Sequence, residues 1–390
     1  MKSSRSDRAR ELLDTYTRDF SPQQLQRLFT HDTRDAYRFF TRGGHEDEYA
    51  GLPLWKSAPL RFRQIFMAFT LRLSPARRAL YLGALIIALT GVIRLFRGFG
   101  AVEVPFGVPF LQIGVVTPQW AEGTLALLIS LILVNLLMLL EVADRLSLKG
   151  ELEVAREIQL AMLPSGTLRV ADIEICGMTR PANTVGGDFY DVLPLPDGRV
   201  ILALGDVSGK GSPAALLMAL LLAVLRTLVD EALDAPALVE RLNLQICRHS
   251  PSSRFITLFY AVYSPSTGAM TYVNAGQNPP LIRRRDGRYE RLDSTGVALG
   301  MFEQSTFGSV DTVLDPDEML ILYSDGITEA EDPSGQPFEE SGLELVVERF
   351  ASRDPGEIGA QVLKAVESHA RESRFVDDLT ILVLKRHGLA

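Results

Sequence analysis

Cysteine, histidine and net positive charge are all scarce in this chain of 390 residues. Cys176 and Cys247 are the only cysteines, so neither a disulfide framework nor a zinc-binding spacing is available, and a reducing compartment suits the main domain. The five histidines, His31, His45, His249, His369 and His387, stand apart without ligand spacing and read as surface or packing residues. A formal net charge of −8 argues against nucleic acid as a partner. Acidic residues are themselves missing between Tyr49 and Val102, where arginines and a long apolar run take over.

What is present centres on residues 200–219. Val200-Ile201-Leu202-Ala203-Leu204 is a short, partly β-branched apolar run that reads as a buried strand, with Asp206 at its end. Gly209 and Gly211 permit a tight turn, and Ser212-Pro213 reads as an N-cap with proline at the first helical position. Gly209-Lys210 looks like the Gly-Lys pair of a phosphate-binding loop. That reading fails, because Gly211 stands at the required Ser/Thr position and Leu204 at the required first glycine.

Asp206 is one of several acids with a similar setting. Gly186-Gly187-Asp188-Phe189-Tyr190-Asp191 precedes it, Tyr323-Ser324-Asp325-Gly326 follows the apolar run 319–322, and Asp377-Asp378-Leu379-Thr380 precedes the run 381–384. A single Asp beside Gly is an ordinary turn residue. Four acidic sites beside strand-like segments are what a hard divalent cation needs, because Mg²⁺ and Mn²⁺ prefer carboxylate, carbonyl and water oxygens.

With these motifs in order, and with Ile158-Gln159-Leu160-Ala161-Met162-Leu163-Pro164, Asn274-Ala275-Gly276-Gln277-Asn278-Pro279-Pro280 and Leu299-Gly300 between or before them, the chain from about residue 151 to 384 resembles the SpoIIE/RsbU-type branch of the metal-dependent PPM (protein phosphatase 2C-like) serine/threonine phosphatases. The resemblance implies two divalent cations, Mn²⁺ or Mg²⁺. It implies that Asp206 bridges them, that the Val207 carbonyl is a further ligand, that Asp325 also binds the metals, that Asp377 completes the second ion, and that Asp188 reaches the site directly or through water. Asp206 and Asp325 are then the catalytic pair. Asp378 ranks below Asp377, and Asp191 is assigned a capping or supporting role. Two positions depart from the wider family: Ser208 replaces a histidine two residues after the bridging Asp, and Asn183 lies near the place of a phosphate-binding arginine, with Arg180 close by. Lys210, Asn278 and Glu329 are candidates for substrate or switch roles.

The expected fold class is α+β, an α-β-β-α sandwich over residues 165–387, because strand-like segments alternate with amphipathic helices. Ahead of it, the apolar stretches 79–96 and 123–140 form a two-helix transmembrane hairpin within residues 76–140, since a span needs about 20 apolar residues. Arg61, Arg63, Arg72, Arg77 and Arg78 place the N-terminal side, a helical cytoplasmic segment over 1–75, inside the cell, and two spans return the main domain there as well. The first apolar run begins too late for a cleaved signal peptide. Residues 97–120 are expected to lie at the interface. Residues 141–164 read as a linker helix with an amphipathic seam, interrupted at Gly150. These residues alone suit a mere spacer equally well; the family resemblance implies that the helix carries signals and forms the contact of a homodimer.

The family resemblance implies hydrolysis of phosphoserine or phosphothreonine on a phosphorylated regulatory protein, such as an anti-sigma-factor antagonist, and the apolar hairpin places this expected function at the bacterial cytoplasmic membrane. Attack by a metal-bridging water, without a phospho-enzyme, suits a chain with four Asp sites and no Cys or His nucleophile motif. The alternative is a non-catalytic membrane scaffold that binds a phosphoprotein through the same fold.

Overall fold

The computed structural model describes residues 63, 66–71, 73–96, 99–105, 112–251, 253–371, 375 and 377–388, with the backbone alone over 99–105 and 112–119. Most of the helical segment expected over 1–75 lies outside these residues. The chain divides into two compact units, Met1–Arg145 and Leu146–Ala390.

In the first unit, helix α1 (Pro75–Phe96) is followed by an antiparallel ribbon, β1 (Phe99–Pro105) with β2 (Gln112–Pro118), and by helix α2 (Gln119–Met162), which continues past the division. The sequence places residues 97–120 at the interface but does not predict these paired strands. Within this unit α1 and α2 run side by side. Gly91 and Gly123 meet so closely that a Cβ at Gly123 would lie 2.8 Å from the Gly91 carbonyl oxygen. Ser130 Oγ donates to the Ala84 carbonyl at 2.8 Å, and Arg94 pairs with Glu122 at 2.6 Å. Arg77 reaches both Glu141 (3.1 Å) and Asp144 (2.7 Å). Ile86, Leu89, Leu128 and Leu131 point outward, exposed.

Three helices among the described residues are long and apolar enough to cross a membrane: α1, Trp120–Met162 and Ser212–Val229. The third is a core helix, because Leu217, Met218, Leu221, Leu222 and Leu225 are all buried in the second unit. Helix α2 shows no break at Gly150, where the sequence predicted an interruption. A single glycine costs about 1 kcal/mol in a helix and is outweighed by the good helix formers around it.

The second unit holds two sheets. One has the order β10-β9-β12-β13-β4-β3, from β3 (Thr167–Val170), β4 (Ile173–Arg180), β9 (Leu281–Arg283), β10 (Tyr289–Arg291), β12 (Met319–Tyr323) and β13 (Leu379–Arg386). The other has the order β11-β8-β7-β6-β5, from β5 (Phe189–Pro194), β6 (Val200–Val207), β7 (Ile256–Ser264), β8 (Ala269–Ala275) and β11 (Val310–Val313). Helices α3 (Ser212–Val229) and α4 (Ala235–His249) lie on the second sheet. A short α5 (Asp325–Thr328) follows β12, and α6 (Glu339–Phe350) and α7 (Pro355–Ala370) belong with the first sheet.

Strand alternation explains the layering. In β12 and β13, Leu320, Leu322, Leu382 and Leu384 join the core shared with the other sheet, while Ile321, Tyr323, Ile381 and Val383 pack with Leu343, Val347 and Val362 of the covering helices. The α-β-β-α sandwich is therefore observed. Strands β3, β9 and β10, of three or four residues each, were not expected from the sequence.

Candidate metal centre

Four chain segments bring acids to one end of the sandwich: the start of β5, the end of β6, the end of β12 and the start of β13. The register that sets Phe189 opposite Gly205 brings Asp188 and Asp206 within hydrogen-bond reach. Asp325 opens α5 directly after β12, and Asp377 and Asp378 lead into β13, whose Ile381 pairs with Tyr323.

The glycines of the motifs are required by close approach. A Cβ at Gly187 would lie 2.8 Å from the Val207 carbonyl and 2.9 Å from Asp206 Oδ1, and one at Gly326 would lie 2.1 Å from the Asp378 carbonyl. Gly209 and Gly211 take φ values of 96° and 75°, which only glycine adopts readily, so the turn after β6 is as the sequence predicts. The helix boundary differs: Gly211, not Ser212, is the N-cap of α3 and no side chain caps it, because Ser212 is already helical.

The acids carry different loads. Asp188, 3% exposed, has one carboxylate oxygen, Oδ2, buried without a hydrogen-bond partner. Burial foremost, then the negative charges of Asp206 and Asp378, hold its pKa well above the usual carboxylate value. Asp206 is pushed up to about 7, by burial and then by Asp325 and Asp377. Asp325 is raised by burial, then by Asp377 and Glu329. Asp377 accepts from Lys210 Nζ at 2.8 Å. Asp378 is a support: its carboxylate accepts from the backbone N–H of Ala182 (2.7 Å) and Gly187 (2.7 Å). Asp191, fully buried, takes Arg226 Nε at 2.7 Å, and Arg226 also donates to the Met162 carbonyl.

Among the described residues, no three His, Cys, Asp or Glu side chains close into a ready-made ligand set. The donors nevertheless suit a hard divalent cation. They are all oxygens, one of them is buried and unpartnered at Asp188, and the Val207 carbonyl and Asp206 line the clearance that Gly187 leaves open. Like carboxylates crowded together are held apart or protonated unless a cation neutralises them.

Several neighbours had no role in the sequence reading. Gln277 bridges the sheets: its Oε1 accepts from Thr257 Oγ1 (2.6 Å), whose neighbour in the ladder is Asp206, and its Nε2 donates to the Tyr323 carbonyl (3.2 Å). Ser324 Oγ accepts from Thr380 N (3.0 Å) and donates to the Asp378 carbonyl (3.2 Å), locking the two strand ends together. Arg254 donates to the Ser208 carbonyl. Its position in a loop far from the motifs gave no sequence signal. Arg180, considered for phosphate contact, is paired instead with Glu367 on α7.

The raised acids make a pH prediction for the protein held in a chelator. A carboxylate with a folded pKa above its unfolded value binds more protons in the folded state, so its stabilising contribution is complete below the unfolded pKa and is lost as pH rises through the folded one. For Asp206 that window runs from 3.8 to about 7. Thermal unfolding in EDTA is expected to show the melting temperature falling across this range in the wild type, with a shallower fall in Asp206→Asn.

Residues 196–387 match the family model described as stage II sporulation protein E (SpoIIE). Protein IcfG of Synechocystis sp. (strain ATCC 27184 / PCC 6803 / Kazusa) is 31% identical over 265 residues, covering 61% of this chain and 42% of that protein. The phosphoserine phosphatase RsbU of Bacillus subtilis (strain 168) is 27% identical over 240 residues, covering 61% of this chain and 71% of that protein. Among solved structures, the SiaA PP2C domain of Pseudomonas aeruginosa superposes with a TM-score of 0.55 at 22% identity, covering 63% of this chain and 99% of that domain. The chain thus spans less than half the length of one of these relatives and about seven-tenths of another.

Proposed function

We propose that the C-terminal unit, which matches the SpoIIE family model over residues 196–387 and is similar to RsbU, is a PPM-type phosphatase domain of the SpoIIE kind, and that the protein is a metal-dependent phosphatase acting on phosphoserine or phosphothreonine of a regulatory protein. The observation that carries the reading is the gathering of Asp188, Asp206, Asp325 and Asp377 from four strand ends, three of them with raised pKa values. Asp206, Asp325, Asp188, Asp377 and the Val207 carbonyl are the residues that would hold two Mn²⁺ or Mg²⁺ ions. Bound there, such ions would neutralise phosphoryl charge and supply an activated water, the two demands of a reaction that enzymes accelerate by up to ~10²¹-fold.

The chain's own residues supply the rest. Gly187 keeps the Asp188 loop against Asp206 and Val207, the Gln277 bridge fixes the spacing between the two sheets that carry the acids, and the Ser324 bridge ties the end of β12 to the start of β13 within one sheet. Lys210 is the cation beside Asp377, exposed by nearly half and able to meet an incoming anion. Ser208, standing where the wider family resemblance places a histidine, offers no imidazole for the leaving oxygen. Its hydroxyl accepts from the Phe255 N–H at 2.9 Å instead.

The relative named a phosphoserine phosphatase supports the substrate class. Helices α1 and the first part of α2, with outward apolar side chains, support two spans of a bacterial cytoplasmic membrane with the phosphatase unit in the cytoplasm. Exposed Leu146, Leu148, Val154 and Ile158 on α2 support a homodimer through the linker. In domain terms we assign 76–140 to the membrane hairpin, 141–164 to the linker and 165–387 to catalysis. Release of phosphate from phosphoseryl, phosphothreonyl and phosphotyrosyl peptides tests the substrate class. The full chain with Mn²⁺ is expected to turn over the first two and to stop in EDTA. Preference for phosphotyrosine, or a phosphorylated enzyme trapped during turnover, would overturn the reading.

A further inference from the structure

Gln159 lies in the last turn of α2, is 6% exposed, and makes contacts that no packing role requires. Its amide grips a single residue from both sides. Nε2 donates to the Gly186 carbonyl at 2.8 Å, and Oε1 accepts from the Gly186 N–H at 3.1 Å. Nε2 also lies 3.2 Å from Met218 Sδ of α3.

The other face of the same loop is closed by Asp378, which takes the Gly187 N–H at 2.7 Å. A Cβ at Gly186 would lie 2.2 Å from Asp378 Oδ2, so the peptide has no slack between the helix and the carboxylate. The two residues that follow are Gly187, packed against the Val207 carbonyl and Asp206, and Asp188, with its unpartnered buried oxygen. The end of α2 is itself fixed nearby, because Arg226 ties the Met162 carbonyl to Asp191 of β5.

Resting on the phosphatase reading above, we infer that Gln159 is a positioning residue of the metal centre: its amide clamps the Gly186 peptide and thereby holds Gly187 and Asp188 against Asp206 and Val207. Chemistry selects glutamine for this task. A buried N–H and C=O of one residue need an acceptor and a donor from the same side chain; glutamate lacks the donor, leucine lacks both, and asparagine is one methylene shorter. The clamp does not touch substrate, so its removal acts on metal affinity and not on substrate affinity.

The test uses the full chain in detergent as wild type, Gln159→Leu, Gln159→Glu and Met218→Leu, the last altering the amide's other neighbour without touching Gly186. The readouts are the Mn²⁺ concentration for half-maximal phosphate release, KM for a phosphoserine peptide, and amide exchange at Gly187 and Asp188 in EDTA. Groups that orient metal ligands typically contribute 10–100-fold, so Gln159→Leu is expected to raise the Mn²⁺ midpoint by about tenfold or more, with KM within about twofold. Exchange at Gly187 and Asp188 should quicken in the same variant. Gln159→Glu, which keeps the size and the acceptor, is expected to shift both in the same direction and serves if the leucine variant does not fold. Met218→Leu should shift neither. An unchanged midpoint with unchanged exchange in both Gln159 variants, or an equal shift in Met218→Leu, would overturn the clamp. If the wild type itself shows no Mn²⁺-dependent turnover, the phosphatase reading fails alone, and exchange at Gly187 and Asp188 still decides whether Gln159 holds the loop.

Discussion

Replacing Asp206 by asparagine is expected to reduce Mn²⁺-dependent phosphate release by at least about 10³-fold, since charge stabilisation by a bound metal is worth several kcal/mol and each ~1.4 kcal/mol is tenfold in rate. The substitution keeps the shape of the side chain. Asp206 sits at the centre of the acid group, its pKa pushed up to about 7 by burial and by Asp325 and Asp377, so loss of its charge relieves repulsion while it removes a ligand. The folded protein should therefore hold its stability in EDTA, or gain some, as activity disappears. Steady-state release of inorganic phosphate and a thermal melt of the same preparation check both halves. Activity within tenfold of wild type would remove Asp206 from the chemistry.

Gly326→Ala is expected to lose activity and stability together. Its Cβ would stand 2.1 Å from the Asp378 carbonyl oxygen, a clash of a rigidly attached atom with backbone that no rotamer change can relieve. Forcing atoms into a packed interior typically costs about 1–3 kcal/mol, and here the displaced segment carries Asp377 and Asp378. The Ser324 bridge to Thr380 and Asp378 would be strained in the same movement. Gly150→Ala makes the contrast. Nothing lies within 4 Å of the added Cβ on the continuous helix α2, and alanine is about 1 kcal/mol better than glycine in a helix interior. Chemical denaturation of the two variants should move in opposite directions from the wild type.

The site was legible where its signals are local. Asp188, Asp206, Asp325 and Asp377 each stand next to a short apolar strand, and the structure puts all four strands' ends on one side of the sandwich. The strands β6, β12 and β13 were readable because they are buried runs of Val, Ile and Leu. Strands β9 and β10, three residues each, carry too few side chains to show a period. The β1–β2 ribbon was missed because its Gly, Pro and Val content reads equally well as irregular chain.

Polar bridges were the least readable feature. Gln159, Gln277 and Ser324 lie inside motifs that the sequence displays, but their partners are distant: Gly186, Thr257 and Thr380. A single sequence shows that a glutamine is present and gives no indication of which peptide it satisfies. The same limit hid the pairing of Arg180 with Glu367. Ser212 was misplaced as a cap for a related reason. The residue with positive φ, Gly211, decides where α3 begins, and Ser-Pro beside it looks like the same signal one position later.

Calorimetric titration of Mn²⁺ into the wild type and into Asp206→Asn, with phosphate release measured on the same samples, tests the central claim most directly. The account predicts saturable binding by the wild type that tracks turnover, and loss of both in Asp206→Asn. Turnover that persists in EDTA, or Mn²⁺ binding of equal strength in the two proteins, would contradict it.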